Sequence, residues 1–192
     1  MTTTARLLKA LDFAAKRHHF QFRKGEKKVP YINHPIEVAS LLANEGGEND
    51  PVLLIAAILH DVIEDTVDSV VERDRLIEEI REMFGEEILS VTLEVTDDKS
   101  LEKQERKRLQ VTEAPHKSVA AKKLKIADKI MNVRDIIQNP PAEWTRSRIV
   151  GYIDWSEEVV AGLRGVSPGL ESLFDKTIKK ARTHYRVTGS QG

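Results

Sequence analysis

Apolar positions recur at helical spacing along almost the whole chain. Leu7, Leu8, Leu11, Phe13, Ala14 and Ala15 define one face of a first amphipathic helix. The stretch from Phe20 to Tyr31 is polar and basic, contains Gly25 and Pro30, and reads as a loop. Asn33-His34-Pro35 opens a second helix, with Pro35 suited to its first position and Ile36, Val38, Ala39, Leu41 and Leu42 supplying the buried face. Gly46-Gly47 ends it. Asp50-Pro51 pairs a capping residue with a proline in the first turn and starts a strongly apolar helix that runs on to Thr66. The pattern then predicts helices over Arg73 to Phe84, closed by Gly85, and over Glu86 to Val95, with a turn at Asp97-Asp98. A charged helix spans 101–113 ahead of Pro115. A long helix runs from Ser118 to Gln138 and stops before Pro140-Pro141. Glu143 to Leu163 carries both tryptophans. Pro168-Gly169 breaks the chain before a last helix, Leu170 to Tyr185, and residues 187–192 read as a disordered tail. Strand-like alternation, internal repeats and low-complexity linkers are absent, so the expectation is one all-α domain over residues 1–192.

Composition narrows the function. Thirty Lys+Arg against 31 Asp+Glu leave a net charge of −1, which gives no general attraction to nucleic acid or to an anionic membrane. The absence of cysteine excludes disulfides, thiol catalysis and cysteine-ligated zinc, and fits a cytoplasmic protein. The apolar run Val52 to Leu59 is too short to span a bilayer, and the N-terminus does not read as a signal peptide. Lys176, Lys179, Lys180 and Arg182 complement the dipole of the last helix. Only Tyr185 accompanies them, so they do not form a nucleic-acid platform. Either the charged helix 101–113 or the last helix could form a homo-oligomer interface.

Chemistry concentrates in HDVIED at 60–65. On a continuous helix His60 would lie over Glu64 and Asp61 over Asp65, next to Leu54, Ile58 and Leu59. Such groups are costly to bury unless a cation or a reaction uses them. His34 and Asp128 add metal-compatible groups from two other helices. Each has an ordinary explanation alone. His60-Asp61 is a common dipeptide, His34 could be a capping or core histidine, and Asp128 could pair with Lys125 or Lys129 at the surface. Taken together, with Asn132 and Arg134 downstream, they favour a cation site that would suit manganese, iron(II) or zinc.

YINHP at 31–35, HDVIED at 60–65, VTDDKSL at 95–101 and KIADKIMNVRD at 125–135 resemble the hydrolase domain of RelA/SpoT homologues. Within that group the chain is similar to the small, single-domain alarmone hydrolases, which ERKRLQVTEAPH at 105–116 also resembles. The likeness runs from about Leu7 to Leu163. It implies an HD-domain phosphohydrolase fold, with His34, His60, Asp61 and Asp128 as ligands of one Mn2+ ion and Glu64 and Asp65 as the catalytic acidic pair. The implied reaction removes the 3′-pyrophosphate of ppGpp or pppGpp, leaving GDP or GTP. The basic loop RKGEKKVPYINHP is longer than its counterpart in the long bacterial enzymes, while every implied ligand and acid is present.

The resemblance also implies substrate contacts. Arg23 and Lys24 would pack around the guanine base, Lys99 would meet phosphate, and Asn132 would meet ribose or phosphate. Arg148 and Tyr152 would meet the 5′ phosphates and the base or ribose. Lys117, Lys122, Lys123 and Lys125 could steer an anion, although such a helix face ordinarily meets water. Trp144 and Trp155 read as core or interface anchors rather than as a base platform. Three alternatives stand beside alarmone hydrolysis. One is removal of the 2′-phosphate of NADPH at the same site; the second is a catalytically silent nucleotide sensor, against which the intact acidic pair counts. The third is a purely structural bundle.

Overall fold

The computed structural model describes residues 1–187. Ten α-helices occupy them: α1 Thr3–Arg17, α2 Asn33–Asn44, α3 Pro51–Leu59, α4 Val62–Asp65, α5 Val70–Phe84, α6 Glu86–Val95, α7 Lys103–Glu113, α8 Val119–Gln138, α9 Arg146–Ala161 and α10 Pro168–Val187. A short 3-10 turn, Ala114–His116, links α7 to α8. Among the described residues the only β feature is an isolated antiparallel bridge between Phe22 and Pro30 in the basic loop. No helix there is long and apolar enough to cross a membrane.

The helix starts follow local chemistry. Thr2, Asp50, Ser118 and Thr145 each accept a hydrogen bond from a backbone N–H of the first turn of α1, α3, α8 and α9. α5 begins at Val70, earlier than its apolar pattern indicates. Ser69 accepts from Glu72 N at 3.2 Å while the Glu72 carboxylate accepts from Asp68 N, so reciprocal capping supplies the missing first turn. Pro168 starts α10 rather than ending the preceding segment. α10 also continues through Val187, so the expected tail loses its first residue to the helix, and 188–192 lie outside the described residues. Gly85 has φ +93 and both ends α5 and opens α6, a turn that L side chains resist.

One expectation is corrected. The apolar helix does not run unbroken to Thr66 but stops at Leu59, and α4 restarts at Val62. His60 Nδ1 lies 2.8 Å from the carbonyl of Ala57, so the imidazole takes a carbonyl that the helix end leaves unused. One turn survives beyond the break, since Asp65 N donates to Asp61 O at 2.8 Å. His60 faces Asp61 and Asp128, whereas Glu64 faces Asp97 N and Arg106.

α3 is buried on every side, as expected of a helix apolar all round. Leu53 and Ala57 belong to a core built with α2, α8, α9 and α10. Ile55, Ala56, Ile58 and Leu59 belong to a second core built with α1, α5 and α6. The central helix thus joins the two halves, and its C-terminal end delivers His60 and Asp61 to their junction. α10 packs along α8, with Phe174 in the first core and the buried Tyr185 hydroxyl donating to Ile136 O at 2.5 Å. Arg182 pairs with Asp154 at 2.8 Å and with Glu157, so it ties α10 to α9 rather than serving only the helix dipole. Phe174→Ala should cost about 3–5 kcal/mol in equilibrium urea unfolding, because the cavity would open where α10 supports α8; a loss below about 1 kcal/mol would show that α10 is dispensable to this core.

Candidate active site

Three parts of the chain converge beside α3. His34 sits in the first turn of α2, His60 and Asp61 form the α3–α4 break, and Asp128 lies in the middle of α8. His34 Nε2 is 3.1 Å from Asp128 Oδ1 and 3.8 Å from Asp61 Oδ2. His60 Nε2 is 3.2 Å from Asp61 Oδ2 and 3.8 Å from Asp128 Oδ1. His34, His60 and Asp128 are buried, at 3%, 5% and 9% exposure. They offer ligand atoms within 4.8 Å of one another, and this cluster can hold a divalent metal. Asp61 Oδ2 flanks it on both histidines. The donor chemistry fits a cation. His60 Nδ1 is committed to Ala57 O, and its buried Nε2 has no hydrogen-bond partner. A fixed imidazole with one nitrogen anchored and the other aimed into a cluster of acceptors is the arrangement of a ligand histidine.

The electrostatics agree. Burial alone would push the His60 pKa down, yet Asp61 and Asp128 outweigh it and lift it to about 10. Burial disfavours the charge on Asp61, but His60 and His34 hold its carboxyl below the usual range. For Asp128 burial is overcome by Lys129 first and then by the two histidines. The carboxylates thus bind a proton on His60 where a metal ion could serve instead.

The acidic pair lies around the rim. Glu64 Oε2 accepts from Asp97 N at 3.0 Å, and Arg106 approaches Glu64 at 3.9 Å. Burial, followed by the charges of Asp97 and Asp61, raises the Glu64 pKa to about 7. Asp65 is gripped by Lys99 and by Tyr31, whose hydroxyl lies 2.8 Å from Asp65 Oδ2. A polar cavity of about 140 Å3 contains the metal-compatible cluster and Glu64.

A larger cavity of about 690 Å3 lies beside it, with Arg23, Tyr31, Asp65, Asp97, Gln110 and Asn132 lining both. That volume suits a small-molecule ligand. Arg23, Lys24, Lys99, Asn132, Arg148 and Tyr152, singled out from the sequence, all line this larger cavity. Arg23 is not a loose loop residue. Its guanidinium bonds Asp135 at 2.7 Å and Asn132 Oδ1 at 2.8 Å, and Asn132 in turn donates to Asp128 Oδ1 at 2.6 Å. Gly25 lets this loop close on α8, since a Cβ there would fall 1.9 Å from the Asn139 side chain.

Several residues escaped the sequence reading. Trp144 and Trp155 pack against the core but also wall the cavity, with Tyr152 between them at ring distances of 5.6 and 5.4 Å. They are therefore cavity wall as well as anchors. Lys107 and Lys129 lie 4.5 and 4.3 Å from the Trp155 ring centre, and Arg148 4.6 Å from that of Trp144. Lys103 and Lys107 belong to the charged helix α7, and both line the cavity. Burial and then neighbouring cations lower both pKa values, with Arg148 and Lys24 acting on Lys103, and Lys103 and Lys129 on Lys107. A periodicity of charges at 99, 103, 106 and 107 was the available signal. In contrast, three of the lysines considered for steering are engaged by the protein: Lys125 on α8 is buried and donates to Val95 O, Lys117 ahead of α8 donates to Glu94 O, and Lys123 pairs with Glu48.

The chain matches the HD domain family over residues 10–150. It is 47% identical over 171 residues to guanosine-3′,5′-bis(diphosphate) 3′-pyrophosphohydrolase MESH1 of Xenopus tropicalis, covering 89% of this chain and 92% of that protein. The Homo sapiens MESH1 is 46% identical over 176 residues, covering 92% and 94%. A solved structure described as "A metazoan ortholog of SpoT hydrolyzes ppGpp and plays a role in starvation responses" superposes with a TM-score of 0.85 at 42% identity, covering 92% of this chain and 95% of the other.

A cation bound at His60 would displace the proton that Asp61 and Asp128 favour there, so divalent-metal affinity should rise with pH between about 6.5 and 8, by up to about tenfold per unit for each proton released. Calorimetric titration of metal-free protein with Mn2+ in buffers of different ionisation enthalpy measures both quantities. Affinity that is flat with pH, with no proton release, would remove His60 from the ligand set.

Proposed function

This chain belongs to the MESH1/SpoT-homologue family of HD-domain phosphohydrolases, and on that premise we propose its reaction. It is a metal-dependent hydrolase that cleaves the 3′-pyrophosphate from ppGpp or pppGpp, releasing pyrophosphate and GDP or GTP. The observation that carries this reading is the juxtaposition of a buried His-His-Asp cluster with a larger cavity walled by aromatic rings and lysines. A nucleotide with two phosphate arms meets both needs, since its base takes the apolar wall and its phosphates take the cations.

We assign His34, His60, Asp61 and Asp128 as the ligands of one metal ion, with manganese the choice for two imidazoles and two carboxylates. Such an ion would acidify water and neutralise charge on the phosphoryl oxygens. Glu64 and Asp65 divide the remaining work. Glu64, with a pKa near 7, is suited to take a proton from the attacking water at neutral pH. Asp65, clamped by Tyr31 and Lys99, orients that water. Asn132 fixes Asp128 and Arg23 together, which holds the floor of the base pocket against the ligand set. Arg23 and Lys24 then face the base, and Lys99, Arg148 and Tyr152 face the phosphates and ribose. The absence of cysteine and the nucleotide substrate support a cytoplasmic location.

Product analysis after incubation with ppGpp and Mn2+ should give equimolar GDP and pyrophosphate. Release of single phosphates, or faster phosphate release from NADPH, would contradict the assignment. Glu64→Gln should lower kcat by about 10²–10⁴-fold while metal still binds, and should abolish the loss of activity as pH falls through about 7. The same substitution should affect stability with a definite sign. The Glu64 pKa is raised from 4.5, so the stabilisation from its protonated form is complete below that value and is lost as pH rises through about 7. Metal-free Glu64→Gln should therefore gain more melting temperature over the parent at pH 8 than at pH 4.5.

A further inference from the structure

Tyr31 belongs to the basic loop, yet its hydroxyl reaches into the cluster. It lies 2.7 Å from Asp61 Oδ2 and 2.8 Å from Asp65 Oδ2. A phenol carries one proton, so it donates to only one of these carboxylates at a time. Asp61 Oδ2 is the same oxygen that approaches His60 Nε2 and His34 Nε2. Tyr31 therefore bridges an oxygen of the ligand cluster and an oxygen of the acidic pair.

The ring is held so that the hydroxyl cannot swing away. It stacks on His18 at 4.9 Å and 26°, and the Arg23 guanidinium lies 5.5 Å from its centre. Its backbone N–H donates to Gln21 O at 2.8 Å, and its carbonyl accepts from His34 N at 3.0 Å. Gln21 also reaches the acidic pair, donating from Nε2 to the Asp65 carbonyl at 2.5 Å. Its Oε1 then accepts from His18 Nδ1 at 2.6 Å. One loop thus holds Asp65 by its main chain through Gln21 and by its carboxylate through Tyr31.

We propose that Tyr31 is a positioning residue that couples cation binding at Asp61 to the orientation of Asp65. A cation drawing on a lone pair of Asp61 Oδ2 would make that oxygen the poorer acceptor, and the Tyr31 hydroxyl, keeping its proton, would turn its hydrogen bond to Asp65. That fixes Asp65 Oδ2 for its task only when the ligand cluster is loaded. The inference rests on reading the cluster as a cation site, and adds that this site and the acidic pair share a single proton.

A double-mutant cycle read by Mn2+ calorimetry tests it. Tyr31→Phe keeps the ring and its stacking and removes only the hydroxyl; it should tighten Mn2+ binding by about threefold, because Asp61 Oδ2 no longer has to release a hydrogen-bond donor to the cation. Asp65→Asn should weaken Mn2+ binding in the parent, and the two changes should be non-additive. The effect of Asp65→Asn should be smaller by at least about threefold in the Tyr31→Phe background. Equal effects of Asp65→Asn in the two backgrounds overturn the coupling. Failure of the parent itself to bind Mn2+ would instead overturn the metal reading of the site. Should Tyr31→Phe not fold, the same coupling is readable with Tyr31 intact. The chain has three tyrosines, so the Tyr31 resonance is assignable in protein labelled at the tyrosine ζ-carbon. Its shift on adding Zn2+ should be reduced in Asp65→Asn, and an unchanged shift overturns the proposal.

Discussion

Two imidazoles and two carboxylates from three separate helical segments meet at the end of a wholly apolar helix, each imidazole within 4 Å of each carboxylate. Buried carboxylates in such a setting require positive charge nearby. In the protein alone that charge is a proton on His60, assisted by Lys129 at 3.5 Å from Asp128. A divalent ion held by the same cluster would meet the same requirement. The remainder of the architecture keeps these groups together and leaves one side of them open.

The scaffold does this by making one helix serve two cores. α3 is packed on all sides, so its C-terminal end has no freedom to relax away from α2 and α8. The helix breaks at His60 and Asp61, and His60 uses the carbonyl of Ala57 to fix its own ring. Glu64 and Asp65 follow on a separate short turn, where different neighbours tune each one. Asp97 and burial bring Glu64 to about 7, whereas Tyr31 and Lys99 clamp Asp65. Two adjacent carboxylates are thereby placed in different electrostatic settings. The cations of α7 and the rings of α9 complete a cavity large enough for a nucleotide.

Much of this was legible in the sequence, because helices of this length carry their own signals. Asp50 before α3, Ser118 before α8 and the glycine after α5 marked those boundaries well, whereas α9, expected from Glu143, starts three residues later behind Thr145. His34, His60, Asp61 and Asp128 stood out only jointly and through the family motifs that contain them, since each alone has an ordinary explanation. The break at His60 was not legible, since nothing in IAAILHDVIEDT disfavours continued helix; it goes with the contact of the His60 ring on Ala57 O, a tertiary and side-chain detail that periodicity does not carry. Tyr31 was hidden for a related reason: a tyrosine in a polar loop has no periodicity, and its importance lies in two carboxylates some thirty residues away. Lys125 and Lys129 look solvent-exposed by composition, yet α8 buries both against the site.

The central claim is that these four side chains grip one transition ion. Crystals grown with Mn2+ and measured across the manganese absorption edge test it most directly. The account predicts one strong anomalous peak per chain, at about 2.0–2.3 Å from His34 Nε2, His60 Nε2 and a carboxylate oxygen of Asp61 and of Asp128. A peak elsewhere, or none at full Mn2+ saturation, would contradict it.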